Sequence, residues 1–305
     1  MGMKKADDIL SRFNFPARDA YDLPTSGKRF ADGGQYRIEI PSTEGPGAME
    51  AVLQSAREYD VVVHRISQGS GIMLQTDDEI REMVAMGRQH GVEVCLFVGP
   101  RANWDVGVQA SSSAGRVLGS SLRGADQLAF GIEDVLHGLD LGVTSILVAD
   151  VGQLALLGRM KKAGDLPASF VLKTSVTLAA ANPATARLFE DLGASSLNLP
   201  VDLTIPQIAA IRQAVDIAID FYIESPDDFG GAVRHYEIPE LVRVAAPIYL
   251  KFGLRNSPPL YPAGRHLEQT VLALGRERVR RASIGLGILR RYAPDAVASP
   301  IAVGV

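Results

Sequence analysis

Cysteine is nearly missing from this chain: Cys95 is the single thiol in 305 residues, and Trp104 is the single tryptophan. One thiol builds neither an intrachain disulfide framework nor a cysteine-bound zinc or iron–sulfur site within one chain. It fits a reducing, cytoplasmic compartment. No uncharged run of about 18 residues is present to span a membrane. The first thirty residues, charged and aromatic, lack the apolar stretch of a secretory signal, and Gly2 opens no myristoylation motif because Ala6 stands where Ser or Thr is required. A basic excess is absent as well. The formal net charge of −4 leaves no electrostatic footprint for a polyanion, so neither nucleic acid nor membrane is an expected partner.

What is present is an alternation. From Tyr36 onward, short β-rich runs alternate with helical stretches, the pattern of βα units around a parallel sheet. Eight runs recur: YRIEIP from Tyr36, VVVHRIS from Val61, EVCLFVG from Glu93, SILVAD from Ser145, SFVLKTSV from Ser169, SLNLPVD from Ser196, IAIDFYIE from Ile217 and IYLKFGL from Ile248. Helical signals fill residues 47–59, 76–90, 125–141, 152–163, 183–192, 205–214 and 239–245. Gly91, Gly142, Gly164 and Gly193 stand where left-handed helix caps belong. The chain is therefore predicted to be α/β, a single (β/α)₈ TIM-type barrel over residues 36–264. An N-terminal arm or lid (1–35) precedes it, and an extra C-terminal helix with an apolar tail (265–305) follows. An open doubly wound sheet would alternate in the same way, but no GxGxxG follows the first run. The Ser- and Gly-rich segment 103–124 reads as a mobile loop over the catalytic face.

Side chains alternate along a strand, so the polar residues inside these runs can be sorted by face. In the seventh run Ile219, Phe221 and Ile223 form the helix-facing side, which turns Asp220, Tyr222 and Glu224 inward. The same reading turns Arg37 and Glu39, Lys173 and Ser175, Asn198 and Asp202 inward, and places Tyr249, Lys251 and Arg255 in the lumen or at its rim. Barrel interiors are normally filled by Val, Ile and Leu. An unpaired buried charge is expensive, so this convergence predicts a site. Structural salt bridges such as Arg37–Asp220 or Glu39–Lys251 are the competing explanation for single pairs.

Lys173 and Lys251 are the leading catalytic candidates, because a lysine among carboxylates serves as proton carrier, nucleophile or anchor for a substrate carboxylate. Glu39, Asp220 and Glu224 supply the acid/base partners. With His64 they also form an oxygen and nitrogen donor set for a divalent metal, although no HExxH spacing accompanies it. Alternation turns either His64 or Arg65 inward, not both. The substrate-binding candidates are His64, Arg101, Trp104, Asn198, Tyr222 and Arg255, with the indole of Trp104 suited to wall a small ligand. His90 and His137 read as structural. Gly230, Gly231 and the Arg255-Asn256-Ser257 turn occupy loops where barrels often bind phosphate. Arg276, Arg278, Arg280, Arg281, Arg290 and Arg291 read as a solvated or interface face of the C-terminal helix.

Within residues 134–224 the chain carries HGLDLGVTSILVADVGQLALL from His137, then VLKTSVTLAAANPATARLFEDLGASSLNLPVDLTIPQIAAI, then IAIDFYIE. With Asp150, Ser175, Asn182, Gly193, Leu203 and Ile208 in place, this stretch resembles the bacterial collagenase-like peptidases, family thirty-two among those of unknown catalytic type. The resemblance implies a barrel, a bacterial cytoplasmic setting and a pocket above the strand ends. Several members of that family hold an iron–sulfur cluster on cysteines. Here Glu224-Ser225-Pro226 replaces the family's His-Gly motif and no cysteine follows.

These readings predict a barrel enzyme, a hydrolase or lyase, acting on a small-molecule substrate of the polar carboxylate or carbonyl type, with peptidase activity itself in doubt. The alternative is a catalytically silent binding or partner subunit. The N-terminal arm and the apolar tail (293–305) suggest a homo-oligomer, since such arms often wrap a neighbour.

Overall fold

The computed structural model describes residues 4–17, 19–20, 22–104, 107–112 and 119–301. Much of the loop expected to be mobile (105–106 and 113–118) and the end of the apolar tail (302–305) therefore lie outside the described residues.

After helix α1 (Lys4–Arg12), strands and helices alternate as β1 (Tyr36–Pro41), α2 (Pro46–Glu58), β2 (Arg65–Gln68), α3 (Asp77–His90), β3 (Glu93–Phe97) and α4 (Gly124–Asp140). They continue as β4 (Ser145–Val148), α5 (Val151–Ala163), β5 (Val171–Thr174), α6 (Pro183–Asp191), β6 (Ser196–Asn198) and α7 (Ile205–Ala214). The last repeat is β7 (Ala218–Glu224), α8 (Ile238–Ala245) and β8 (Ile248–Phe252), followed by the long helix α9 (Glu268–Tyr292). All eight strands are parallel and close in sequence order, β8 pairing back onto β1. This is the (β/α)₈ barrel.

Local chemistry sets the boundaries. Thr76 caps α3 reciprocally with Glu79, and Asp77, Asp78 and Glu79 load the first turn with the charge that the helix dipole favours. Gly91 ends the same helix at φ 65, which a residue with a Cβ adopts only at a cost. The core lies between sheet and helices, where Ile38, Ile40, Ile66, Leu96, Ile146, Leu172, Leu197, Ile219, Phe221, Leu250 and Phe252 pack outward from the strands.

Two segments are placed by the fold and one expectation needs correction. In the N-terminal arm, the backbone N–H of Ala20 donates to Pro206, that of Ser26 to Arg243, and the Lys28 ammonium to the carbonyls of Arg212 and Val215. The arm runs down its own α7 and α8 to the barrel floor. The tail is likewise docked, with Ser299 bonded to Tyr36, Arg37, Asp32 and His64 beneath the barrel. Finally, Arg278 is not on a solvated face. It falls in the stripe of Val271, Gly275, Val279, Ala282, Leu286 and Leu289 that α9 buries, and it is 1% exposed.

Candidate functional site

Register decides which charges meet. Glu39 stands opposite Arg65 on β2 and Lys251 on β8, Tyr222 opposite Lys251, and Asn198 opposite Asp220. The inward face thus stacks ionisable groups where most barrels stack aliphatic ones. Glu39 is fully buried. Its carboxylate accepts hydrogen bonds from the Lys173 ammonium on both oxygens, from Ser67 Oγ at 2.7 Å and from Arg65 at 3.3 Å, and it pairs with Lys251 at 3.4 Å. Arg65 also reaches Asp220 at 2.8 Å and Glu93 at 2.9 Å, while its guanidinium lies on the Tyr249 ring at 3.6 Å. Ser196 donates to Asp220 at 2.7 Å. Three cations and three carboxylates therefore share the lumen. Burial alone would raise the Glu39 carboxyl, but Lys173, Lys251 and Arg65 outweigh it and hold it well below the usual carboxylate range.

Above this cluster, at the C-terminal ends of the strands, a cavity of about 70 Å³ opens among Ser67, Phe97, Arg101, Asn198, Tyr222 and Lys251. That is room for a handful of water molecules, or for a ligand of a few heavy atoms. Lys251 Nζ lies 4.1 Å from the centre of the Tyr222 ring, with Glu39 behind it. Arg101 is sandwiched by Phe97 at 3.4 Å and Trp104 at 4.1 Å and donates to the Gly69 carbonyl oxygen, while its Nε has no partner. Burial lowers its guanidinium to about 10. Asn198 is 2% exposed and its Oδ1 also lacks a partner. Buried polar atoms are almost always satisfied, so Arg101 Nε and Asn198 Oδ1 are the buried atoms of the mouth with hydrogen-bonding capacity left over.

Of the eleven site residues read from the sequence, Glu39, Lys173, Asp220, Lys251, Arg101, Asn198 and Tyr222 meet in the lumen or its mouth. Trp104 lies against Arg101 and is not among the residues that line the cavity. Glu224 is displaced: a register shift between Tyr222 and Glu224 sets it opposite Phe252, on the helix side of the sheet. There it contacts His235 at 3.2 Å and Arg281 at 3.4 Å. Arg65, not His64, turns inward. His64 accepts from the Ile38 N–H at 3.0 Å and meets the Ser299 carbonyl at 2.8 Å, so it belongs to the floor. Arg255 is 60% exposed and pairs with Asp227 at 3.6 Å on the rim. Arg37 pairs with Asp32, not Asp220, at 2.8 Å, and Asp202 is exposed in a turn. The divalent-metal donor set is thereby dispersed, and among the described residues no group of three or more His, Cys, Asp or Glu side chains is placed to hold a metal.

Sequence reasoning missed Glu93, Tyr261 and Arg278. Glu93 alternates with Cys95 and Phe97 on β3, so the same face-sorting applied to that strand finds it. Tyr261 sits in an irregular loop and gives no periodic signal.

Behind the mouth, Asp134 on α4 accepts the Gly99 N–H at 2.9 Å and so steadies the turn that carries Arg101. Burial pushes its carboxyl up to about 6, against roughly 3.9 in an unfolded chain. The protonated form is favoured by the fold, so this contribution is full below about pH 4 and is lost as pH rises through 6. Asp134→Asn keeps the acceptor without the charge. It should raise stability by about 1–2 kcal/mol at pH 8 and leave it unchanged at pH 4, read as urea midpoints; an equal shift at both pH values would contradict this.

The residues that carried the family resemblance act as punctuation. Asp150 accepts from Gln153 N at 2.8 Å to cap α5, Asn182 from Thr185 N at 2.9 Å to cap α6, and Gly193 follows α6 at φ 103. The single thiol, Cys95, is buried in the lumen, and burial pushes it up to about 11. The residues present do not fit an iron–sulfur cluster.

The sequence model of peptidase family U32 matches residues 125–225. No curated protein matches the chain. Among solved structures, the U32 peptidase Mk0906 aligns at 16% identity over 78% of this chain and 98% of its own, with a TM-score of 0.41. A protein from Burkholderia cenocepacia J2315 described as a lyase/mutase aligns at 15% identity over 90% and 86%, with a TM-score of 0.44. Oxaloacetate acetylhydrolase aligns at 11% over 87% and 85%, with a TM-score of 0.47. Residues 125–225, the stretch similar to peptidase family U32, supply Lys173, Asn198, Asp220 and Tyr222 to the lumen.

Proposed function

We propose that this barrel is an enzyme that binds a small carboxylate or carbonyl compound in its mouth and moves a proton on it, in the manner of a lyase. The observation that carries this reading is the meeting of the Lys251 ammonium with the two unpartnered atoms, Arg101 Nε and Asn198 Oδ1, around a cavity of about 70 Å³. Arg101 anchors the acidic group, its planar guanidinium held in place by two aromatic rings. Asn198 Oδ1 accepts a hydroxyl or amine hydrogen. Neutral Lys251 takes the proton from the carbon beside the carbonyl and returns it, the ammonium formed in between being stabilised by the Glu39 carboxylate behind it. A cavity this small favours a metabolite over a polypeptide, which sets the reading apart from the peptidase activity that gives the related family its name.

The test is isotopic. Wild-type protein incubated with pyruvate and other two- to four-carbon keto acids in D₂O should speed deuterium exchange beside the carbonyl, followed by proton NMR, and Lys251→Met should lose at least about tenfold in both exchange and binding. Equal exchange in the two proteins would refute the assignment. One observation favours a second reading, a silent receptor: Glu39 is already saturated by Lys173, Arg65, Ser67 and Lys251. Tight binding with no exchange would select it.

A further inference from the structure

Arg278 is as buried as Arg65 but lacks its partners. Its Nη1 donates to the Ser42 carbonyl oxygen at 3.1 Å, its Nε has no partner, and among the described residues no carboxylate forms an ion pair with it. Glu44 lies near enough to be felt, but its oxygens are occupied by the N–H groups of Gly69 and Ser70 at 2.7 and 3.1 Å. An unpaired guanidinium inside a protein is costly, and such charges are normally paired. This one lines a second cavity of about 170 Å³, between the loops that follow β7 and β8. Ser42, Phe229 and Tyr261 line both this chamber and the mouth, so the two adjoin. The Tyr261 and Ser42 hydroxyls, 2.5 Å apart, stand at the divide. Two carboxylates also border the chamber. Asp227 is engaged by Arg255 at 3.6 Å and by the Asn256 N–H, and Asp228 is exposed at the outer end. The deep end is left to Arg278.

We infer that the ligand of this barrel is dianionic, with one acidic group held at Arg101 and Lys251 and a second, carboxylate or phosphate, seated on Arg278 in the adjoining chamber. This rests on the reading of the mouth given above and narrows its substrate class from acids in general to diacids or phosphorylated acids. The lumen's three cations and three carboxylates balance among themselves, and Arg101 and Arg278, which line the two cavities, form no ion pair among the described residues.

Calorimetric titration of the full chain with pyruvate, succinate, 3-phosphoglycerate and inorganic phosphate tests it, alongside R278M, R278K and K251M. Succinate or 3-phosphoglycerate should bind wild type about 10- to 100-fold more tightly than pyruvate. R278M should erase that advantage, leave pyruvate affinity unchanged and abolish phosphate binding, while R278K keeps part of it. Which of the two ligands gains more identifies the second group as carboxylate or phosphate. Without ligand, R278M should melt no lower than wild type, because it removes an unpaired charge. Equal weakening of pyruvate in R278M, or no dianion advantage in wild type, would overturn the inference. Failure of the mouth reading looks different: pyruvate affinity would then ignore K251M, while loss of phosphate binding in R278M would still uphold the Arg278 chamber.

Discussion

Glu39→Ala should cost this protein about 3–5 kcal/mol or prevent it from folding, because removing one member of a buried ion cluster strands the others. Lys173 would lose both of its hydrogen bonds, Lys251 its counter-ion and Arg65 one of three carboxylates, with all three cations buried. The charge balance of the lumen would shift from zero to plus one. A second substitution should repair much of the damage: in the Glu39→Ala, Lys173→Met double variant one cation leaves with the anion, and the long apolar side chain fills the space. Urea unfolding of the wild type, both single variants and the double variant closes the cycle. If the single substitution unfolds at the wild-type midpoint, or if the double variant is simply the sum of its parts, the lumen charges are not a coupled unit.

Acid should release the same lock. Burial acts to raise the carboxyls of Glu39 and Glu93, but the facing cations win and both are held below their ordinary range. The unfolded chain titrates these groups near 4.3, so it binds protons first as pH falls. Their stabilisation is therefore complete above about pH 5 and is lost as pH drops through 4 and below. Asp134 and Glu44, whose carboxyls are raised by burial, work in the opposite sense and gain stability on protonation. Glu39 faces three cations, whereas Asp134 faces none closely, so the lumen should dominate and the melting temperature should fall steeply between pH 5 and 3. In the Glu39→Gln, Lys173→Met variant that slope should flatten. A wild-type melting temperature level across this range would count against the electrostatic account.

The barrel could be read from the sequence because each of its eight runs carries an apolar face of period two, and that face is what the helices cover. The lumen could be read for the complementary reason: Glu39, Lys173, Asp220 and Lys251 interrupt those runs at the inward positions. Glu224 escaped the rule because one extra residue in β7 inverts every side chain beyond it, and nothing in IAIDFYIE announces a bulge. His64 and Arg65 could not be ordered because β2 is regular only from Arg65. Arg278 was hidden in a cluster of arginines that resembles a wet surface. The spacing of Val271, Gly275, Arg278, Ala282 and Leu286 held the signal, since residues three and four apart share one helix face. Loop residues such as Tyr261 have no period to read and appear only once the fold has brought the β8 loop against β1.

The stitched floor bears on how the chain is made. Arg37 lies in β1, the barrel's first strand in chain order, yet it is bonded to Tyr249 and Ser299, 212 and 262 residues further along. Until β8 is made, the growing sheet keeps an open edge at β1, with Arg37 and Glu39 on a face that has no interior yet. Unpaired edges of this kind recruit other strands. That edge closes only when β8 pairs with it, so the last strand of the barrel rather than any early βα unit ends the exposure of β1.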